Sequence, residues 1–201
     1  MNIYQGHEFV DLGLPSGTLW ATCNVGAKKP EDCGDYFSWG ETETKPIYDR
    51  DEYVFFESNV YKVDGSYRFL DHFTKYCEKD GQLILQSVDD AANVNWGGKW
   101  QMPSVADFIE LIGNCRYSWE IRNNVEGSLY SASNGSSIFF PAGGYKFLGK
   151  FAEDKCFYWS RTMKTEDVFS AKILFNSKDS SEVSDMERKL GLPVRPICTA
   201  K

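Results

Sequence analysis

The sequence predicts an α+β fold of mostly antiparallel sheets with two helices and long loops. Three observations predict it. Short runs of β-branched and aromatic residues, bounded by Gly, Pro and Asn, recur along the whole 201-residue chain. The two helical patterns lie next to each other in the middle of the chain and do not alternate with strands, as parallel β-α-β units would. The sharpest local pattern, Trp96 to Ile112, is a Gly turn, a Pro and a capped amphipathic helix.

Phe9 to Leu14 and Thr18 to Asn24 read as strands joined by the turn Pro15-Ser16-Gly17, an N-terminal hairpin. Val25 to Asp35 is loop, and Tyr36 to Gly40 is a short aromatic strand or turn. Glu41 to Ser66 has no clear period and reads as a packed insertion loop carrying Tyr48, Tyr53, Phe55, Phe56 and Tyr61. Ser87 to Asn95 predicts a short helix with Ser87 as N-cap and Asp90 at N3. A second helix is predicted over 104–114. Ser104 and Asp107 form a capping box with Asp in place of the usual Glu or Gln, and Pro103 disfavours α conformation at Met102. Phe108, Leu111 and Ile112 then share one apolar face.

Tyr117 to Val125 reads as one extended strand, and Asn134-Gly135 as a hairpin turn. Ile138 to Tyr145 is a strand running into a Gly bend. Phe157 to Ser160, Ala171 to Phe175 and Val194 to Cys198 are further strands, separated by polar, irregular loops at Arg161 to Val168 and Asn176 to Lys189. No internal repeat or low-complexity tract divides the chain, so residues 1–201 are expected to form a single domain.

Aromatic residues make up 15% of the chain, which excludes disorder. A net charge of −7 without a Lys/Arg cluster argues against nucleic acid as a partner. No apolar run reaches transmembrane length, so no membrane insertion is expected. Met1 to Val10 lacks the apolar stretch of a secretory leader. The sequence alone therefore points to action inside a cell or particle, or to a chain whose leader has been cut away. The six cysteines, Cys23, Cys33, Cys77, Cys115, Cys156 and Cys198, are expected as free, mostly buried thiols, because a chain of this length needs no staples. None has C-x-x-C spacing.

Val10-Asp11-Leu12-Gly13-Leu14-Pro15-Ser16-Gly17-Thr18-Leu19-Trp20-Ala21-Thr22-Cys23-Asn24-Val25-Gly26-Ala27 resembles the opening of the "major paralogous domain" proteins of gut Bacteroidetes. Asp32 to Glu41, Asp89 to Ala92, Trp96 to Ser104, Tyr158-Trp159-Ser160 and Gly191 to Ile197 continue the resemblance. That family is similar to the C-type-lectin-like fold of formylglycine-generating (sulfatase-modifying factor) enzymes and of retroelement-diversified variable proteins. The resemblance implies both chain ends paired in one sheet, two helices, and a loop-rich ligand face toward the C-terminus. It also implies an extracellular site at a cell or phage surface. Gln101 stands where those enzymes usually carry Arg, which puts any ion pair at that position in doubt.

Catalytic motifs do not emerge. The redox cysteine pair of the formylglycine-generating enzymes lies close in sequence, whereas Cys156 and Cys198 are far apart, with only Lys155 beside Cys156 to favour a thiolate. His7 and His72 are the sole histidines and no G-x-S-x-G elbow occurs. The acidic pairs Asp89-Asp90, Glu153-Asp154 and Glu166-Asp167 are explained by capping or by solvated loops. Trp20, Trp39, Trp96, Trp100 and Trp159 read as core.

The expectation is therefore a non-enzymatic recognition module binding a protein or glycan through C-terminal loops, its oligomeric state left open. A divergent enzyme of the same fold and a fimbrial or virion tip subunit are the alternatives. Gly143 to Phe151 alternates aromatics with Gly and Lys, a composition suited to anchoring a ligand. The candidate ligand-binding residues are Tyr145, Phe147 and Phe151 there, Phe157 at the start of the following strand, Arg161 and Met163 in the next loop, and Lys178, Asp179, Asp185 and Arg188 in the last. No cofactor or metal is expected. Calcium stays open because Asp179 to Asp185 offers clustered oxygens, although a plain polar loop is the simpler reading.

Overall fold

Trp20, Trp39, Trp100 and Trp159 are each fully buried, and the sheets are built around them. The computed structural model describes residues 2–152 and 155–199, so the acidic pair Glu153-Asp154 lies outside the described residues. The chain is α+β, and its strand pairs run antiparallel.

Strands β1 (Asn2–Tyr4), β2 (His7–Asp11) and β3 (Thr18–Ala21) form a meander, followed by the short β4 (Tyr36–Phe37). A long hairpin, β5 (Phe56–Val63) and β6 (Ser66–Phe73), precedes helices α1 (Ala91–Trp96) and α2 (Val105–Asn114). Strands β7 (Cys115–Arg122), β8 (Val125–Ala132) and β9 (Ser137–Pro141) make a second sheet, and β10 (Tyr145–Phe147) with β11 (Lys150–Ala152) a small hairpin. Strands β12 (Cys156–Met163), β13 (Ser170–Asn176) and β14 (Ser181–Glu187) form the third sheet. The chain ends with β15 (Leu192–Pro193), paired to β4, and β16 (Ile197–Thr199), paired to β3. Both ends of the described chain thus meet in one sheet, in the order β1-β2-β3-β16.

The capping box at Ser104 is formed in full. The Ser104 hydroxyl accepts from the Asp107 N–H, and the Asp107 carboxylate accepts from the Ser104 N–H at 2.8 Å. Phe108 and Leu111 are completely buried, and the Phe108 ring lies on Trp20 with centroids 5.9 Å apart. On the other side of α2, Glu110 accepts from the backbone N–H of Ser16 at 2.8 Å, clamping the helix to the Pro15-Ser16-Gly17 turn. Burial of these large apolar side chains, each contributing about 1.5–3 kcal/mol, holds the helix in place.

Four expectations need correcting. Residues 56–66, expected as the end of an irregular loop, belong to a hairpin over 56–73. Its turn is Asp64-Gly65, both at positive φ, as a two-residue hairpin turn requires. Tyr117 to Val125 is not one strand, because Asn123 and Asn124 take positive φ and fold β7 back onto β8. Ser181 to Glu187 is a strand within the stretch expected as irregular. Asp90, and not Ser87, caps α1: its carboxylate accepts from the N–H groups of Ala92 and Asn93, while Ser87 to Asp89 form a 3₁₀ turn before it. All six cysteines are free thiols.

Candidate functional site

The β5–β6 hairpin leaves the body beside the loop that joins β12 to β13, and a groove of about 870 Å³ lies between them. Its floor is apolar: Phe56, Phe73, Leu83, Met163 and Phe169. The three phenyl rings meet edge to face, Phe56 with Phe73 at 5.5 Å and Phe73 with Phe169 at 5.1 Å. Phe169 is 53% exposed and Leu83 is 43% exposed, so both offer apolar surface to a visitor.

Each wall is fixed by local hydrogen bonding. Asp167 accepts from the Phe169 N–H at 2.9 Å and from the Ser170 hydroxyl at 2.6 Å, which fixes the backbone turn that carries Phe169. Residues 83–85 run against the end of β12, with the Met163 N–H donating to the Leu83 carbonyl and the Leu85 N–H to the Arg161 carbonyl. Asp80 gathers the loop between them, accepting from the N–H groups of Tyr76, Cys77 and Gln82 at 2.7–3.0 Å. Burial raises the Asp80 carboxyl, but these N–H groups and then Arg188 outweigh it and hold the pKa below its ordinary value.

That direction gives a pH prediction. A carboxylate with a lowered folded pKa stabilises the native state above its unfolded value of 3.8 and loses that contribution as pH falls through the folded pKa. Amide exchange in 76–82 is expected to accelerate below that value earlier than in β13. Asp80→Asn should abolish the difference in pH response.

The floor rests on Arg188, which is 1% exposed. Its guanidinium donates to the Tyr53 hydroxyl, to the Tyr76, Val168 and Lys75 carbonyls, all at 2.9–3.0 Å, and it lies over the rings of Trp39 and Phe73. One side chain thereby ties the hairpin base, the 75–76 segment and the 168 loop together.

The rim is acidic. Asp71, Glu78 and Glu166 line it, with Lys79 and His72. Asp71 accepts from the Ser58 hydroxyl and pairs with Arg50, and the His72 ring faces Glu57 at 3.4 Å. The Thr165 hydroxyl, and then its own backbone N–H, keep Glu166 below the usual carboxylate range. Cys77 and His72 both line the groove, yet no hydrogen bond joins them, and the ring nitrogens of His72 face Glu57 and the Leu70 carbonyl. Among the described residues no group of three or more His, Cys, Asp or Glu is placed to hold a metal ion.

The ten residues expected to bind ligand are not brought together. Only Met163 lines the groove, with the 165–168 loop beside it. Phe157 and Arg188 are buried, which places them in the core and not at a ligand face. Tyr145 packs edge-on to Phe157 in the core margin. Phe147 and Phe151 sit exposed on the β10–β11 hairpin, with Lys146 lying over Phe151 and Tyr36. Arg161 donates to Gln101 at 2.8 Å, so the departure at Gln101 is answered by a hydrogen bond across the fold. Close by, burial pushes Asp90 up to about 6 against the pull of the N–H groups of Met102, Asn93 and Ala92. Lys178 pairs with Glu126 at the β13–β14 turn, with Asp179 exposed beside it. Asp185 is held by Lys164 and Lys172, at 3.0 and 3.6 Å, in an ion-paired strand and not an open cluster of oxygens.

No protein-family model matches the chain. No solved structure matches it either. A multidomain esterase from Ruminococcus flavefaciens is 26% identical over 98 residues, 44% of this chain and 13% of the esterase. The chain therefore corresponds to a small part of that protein's length.

The groove residues Phe56, Phe73, Leu83, Phe169 and Glu78 were missed by sequence reasoning. The aromatic stretch Phe69 to Tyr76 around His72 and the Asp64-Gly65 turn were the available signals.

Proposed function

We propose that the chain is a recognition module that takes an apolar group of a protein or glycan ligand into the groove between the β5–β6 hairpin and the β12–β13 loop. The observation that carries this reading is a rigidly built apolar floor with exposed Phe169 and Leu83, in a groove whose histidine and cysteine are not joined as base and nucleophile. Two further points support it. The pairing of both chain ends in one sheet is what the resemblance to C-type-lectin-like domains implies, and it leaves loops to carry recognition. The 98-residue match covers 13% of a protein named as multidomain, and so a part of it and not the whole. A role at a cell or phage surface follows from the same resemblance.

Screening the chain against glycan and protein arrays tests the reading. Binding is expected to fall at least about tenfold in the double variant Leu83→Asp and Phe169→Asp, the size of effect typical of a central anchor. Lys178→Ala, outside the groove, should leave it unchanged. Array binding that survives the double variant would remove the groove as the site.

A further inference from the structure

We infer that the ligand of this groove is a cationic peptide segment with an apolar anchor residue, presented by a partner protein. The inference rests on the groove being the binding site and goes further by choosing its occupant.

The floor chooses first. Sugar rings stack on open aromatic faces, with polar side chains around them to read the hydroxyls. Here Phe56, Phe73 and Phe169 meet edge to face, so they form a pocketed cluster and not a flat platform. Leu83 and Met163 complete an aliphatic wall. Of the polar groups lining the groove, Asp71 is already engaged by Ser58 and Arg50, and His72 by Glu57. An inserted Leu-, Met- or Phe-like side chain fits this surface better than a sugar.

The rim chooses next. With Asp71 already paired to Arg50, Glu78 and Glu166 still outnumber Lys79, and the His72 ring has Glu57 opposite it. The chain as a whole carries −7, so its long-range field also draws cations. Apolar floor and acidic rim together describe the complement of a segment with an apolar residue flanked by Lys or Arg.

The test uses fluorescence anisotropy on the full chain with three probes: a labelled decapeptide of alternating Leu and Lys, its Leu/Glu counterpart, and labelled oligosaccharides of glucose and mannose. The Leu/Lys peptide is expected to bind and to weaken as salt is raised from 50 to 500 mM, which shortens the Debye length from about 14 Å to about 4 Å. Glu78→Lys and Glu166→Lys, both on exposed loop positions, should each weaken it about fivefold, the effect of a rim ion pair. Leu83→Asp should weaken it about tenfold or more, and Phe169→Asp provides a second anchor variant on another element. Equal binding of the Lys and Glu peptides, or indifference to both charge reversals, would overturn the inference. Oligosaccharide binding that depends on Leu83 and Phe169 would overturn the peptide choice while leaving the groove as the recognition site. Peptide binding that ignores both anchor variants would remove the groove itself.

Discussion

Arg188→Met is expected to destabilise the fold by about 3–5 kcal/mol, because it leaves buried acceptors without a donor. Methionine keeps much of the volume, so the loss is mainly polar. The Tyr76 carbonyl and the Tyr53 hydroxyl are buried with their partner, where water does not replace it, and the Val168 and Lys75 carbonyls are half-buried. The cation also loses its positions over Trp39 and Phe73. Arg188→Lys should recover only part of the stability, since an ammonium does not span a hydroxyl and three carbonyls as the planar guanidinium does. Urea denaturation followed by tryptophan fluorescence reads both. A Met variant within about 1 kcal/mol of the parent would show that water or side-chain movement satisfies the acceptors.

The second buried arginine gives an internal control. Arg195 is also fully buried, but it donates only to Asn24 and the Ala21 carbonyl, and its second Nη atom has no partner. Fewer satisfied bonds mean fewer acceptors orphaned on removal. The same change at Arg195 is therefore expected to cost less than at Arg188.

Arg188 also shows why the site was harder to read from the sequence than helix α2 was. Helix α2 announces itself because its signals are local: Ser104 and Asp107 are three residues apart, and Phe108 and Leu111 recur at helical spacing. Trp20 and Trp159 are legible for the same reason, being large apolar residues inside strand patterns. Arg188 lies in a polar stretch, where a cation reads as a ligand contact. Its partners stand 20, 112, 113 and 135 residues away and are mostly backbone carbonyls, which carry no sequence signature. The β5–β6 hairpin escaped for a different reason. Most of its residues on both faces are exposed, so no in-out alternation exists to be seen, and only the Asp64-Gly65 turn marks it. A groove formed between such a hairpin and a loop ninety residues downstream is a property of the tertiary fold alone.

Trp159→Ala should be at least as damaging, with an expected cost of about 3–5 kcal/mol from the cavity it leaves. Trp159 sits fully buried in the middle of β12, and its indole N–H donates to the Phe37 carbonyl at 2.7 Å. Trp39, just beyond β4, returns the bond: its indole N–H donates to the Ser160 carbonyl at 2.8 Å. Two indoles thus stitch the same pair of segments in opposite directions, across more than 120 residues of chain. Trp159→Phe separates the contributions. It keeps most of the apolar burial and forfeits the bond, so the expected cost is about 1–2 kcal/mol, the penalty for one unpaired buried carbonyl. Trp39→Phe should behave alike, and it also disturbs the ring beneath Arg188. Because the two bonds brace one another, the double Phe variant should cost less than the sum of the single ones once either stitch is gone. Additive losses would mean that β4 and β12 are held together by β15 and the surrounding core, and that each indole bond acts alone. A Trp159→Ala variant that unfolds at nearly the parental urea concentration would show that neighbouring side chains collapse into the space, against the close packing seen around it.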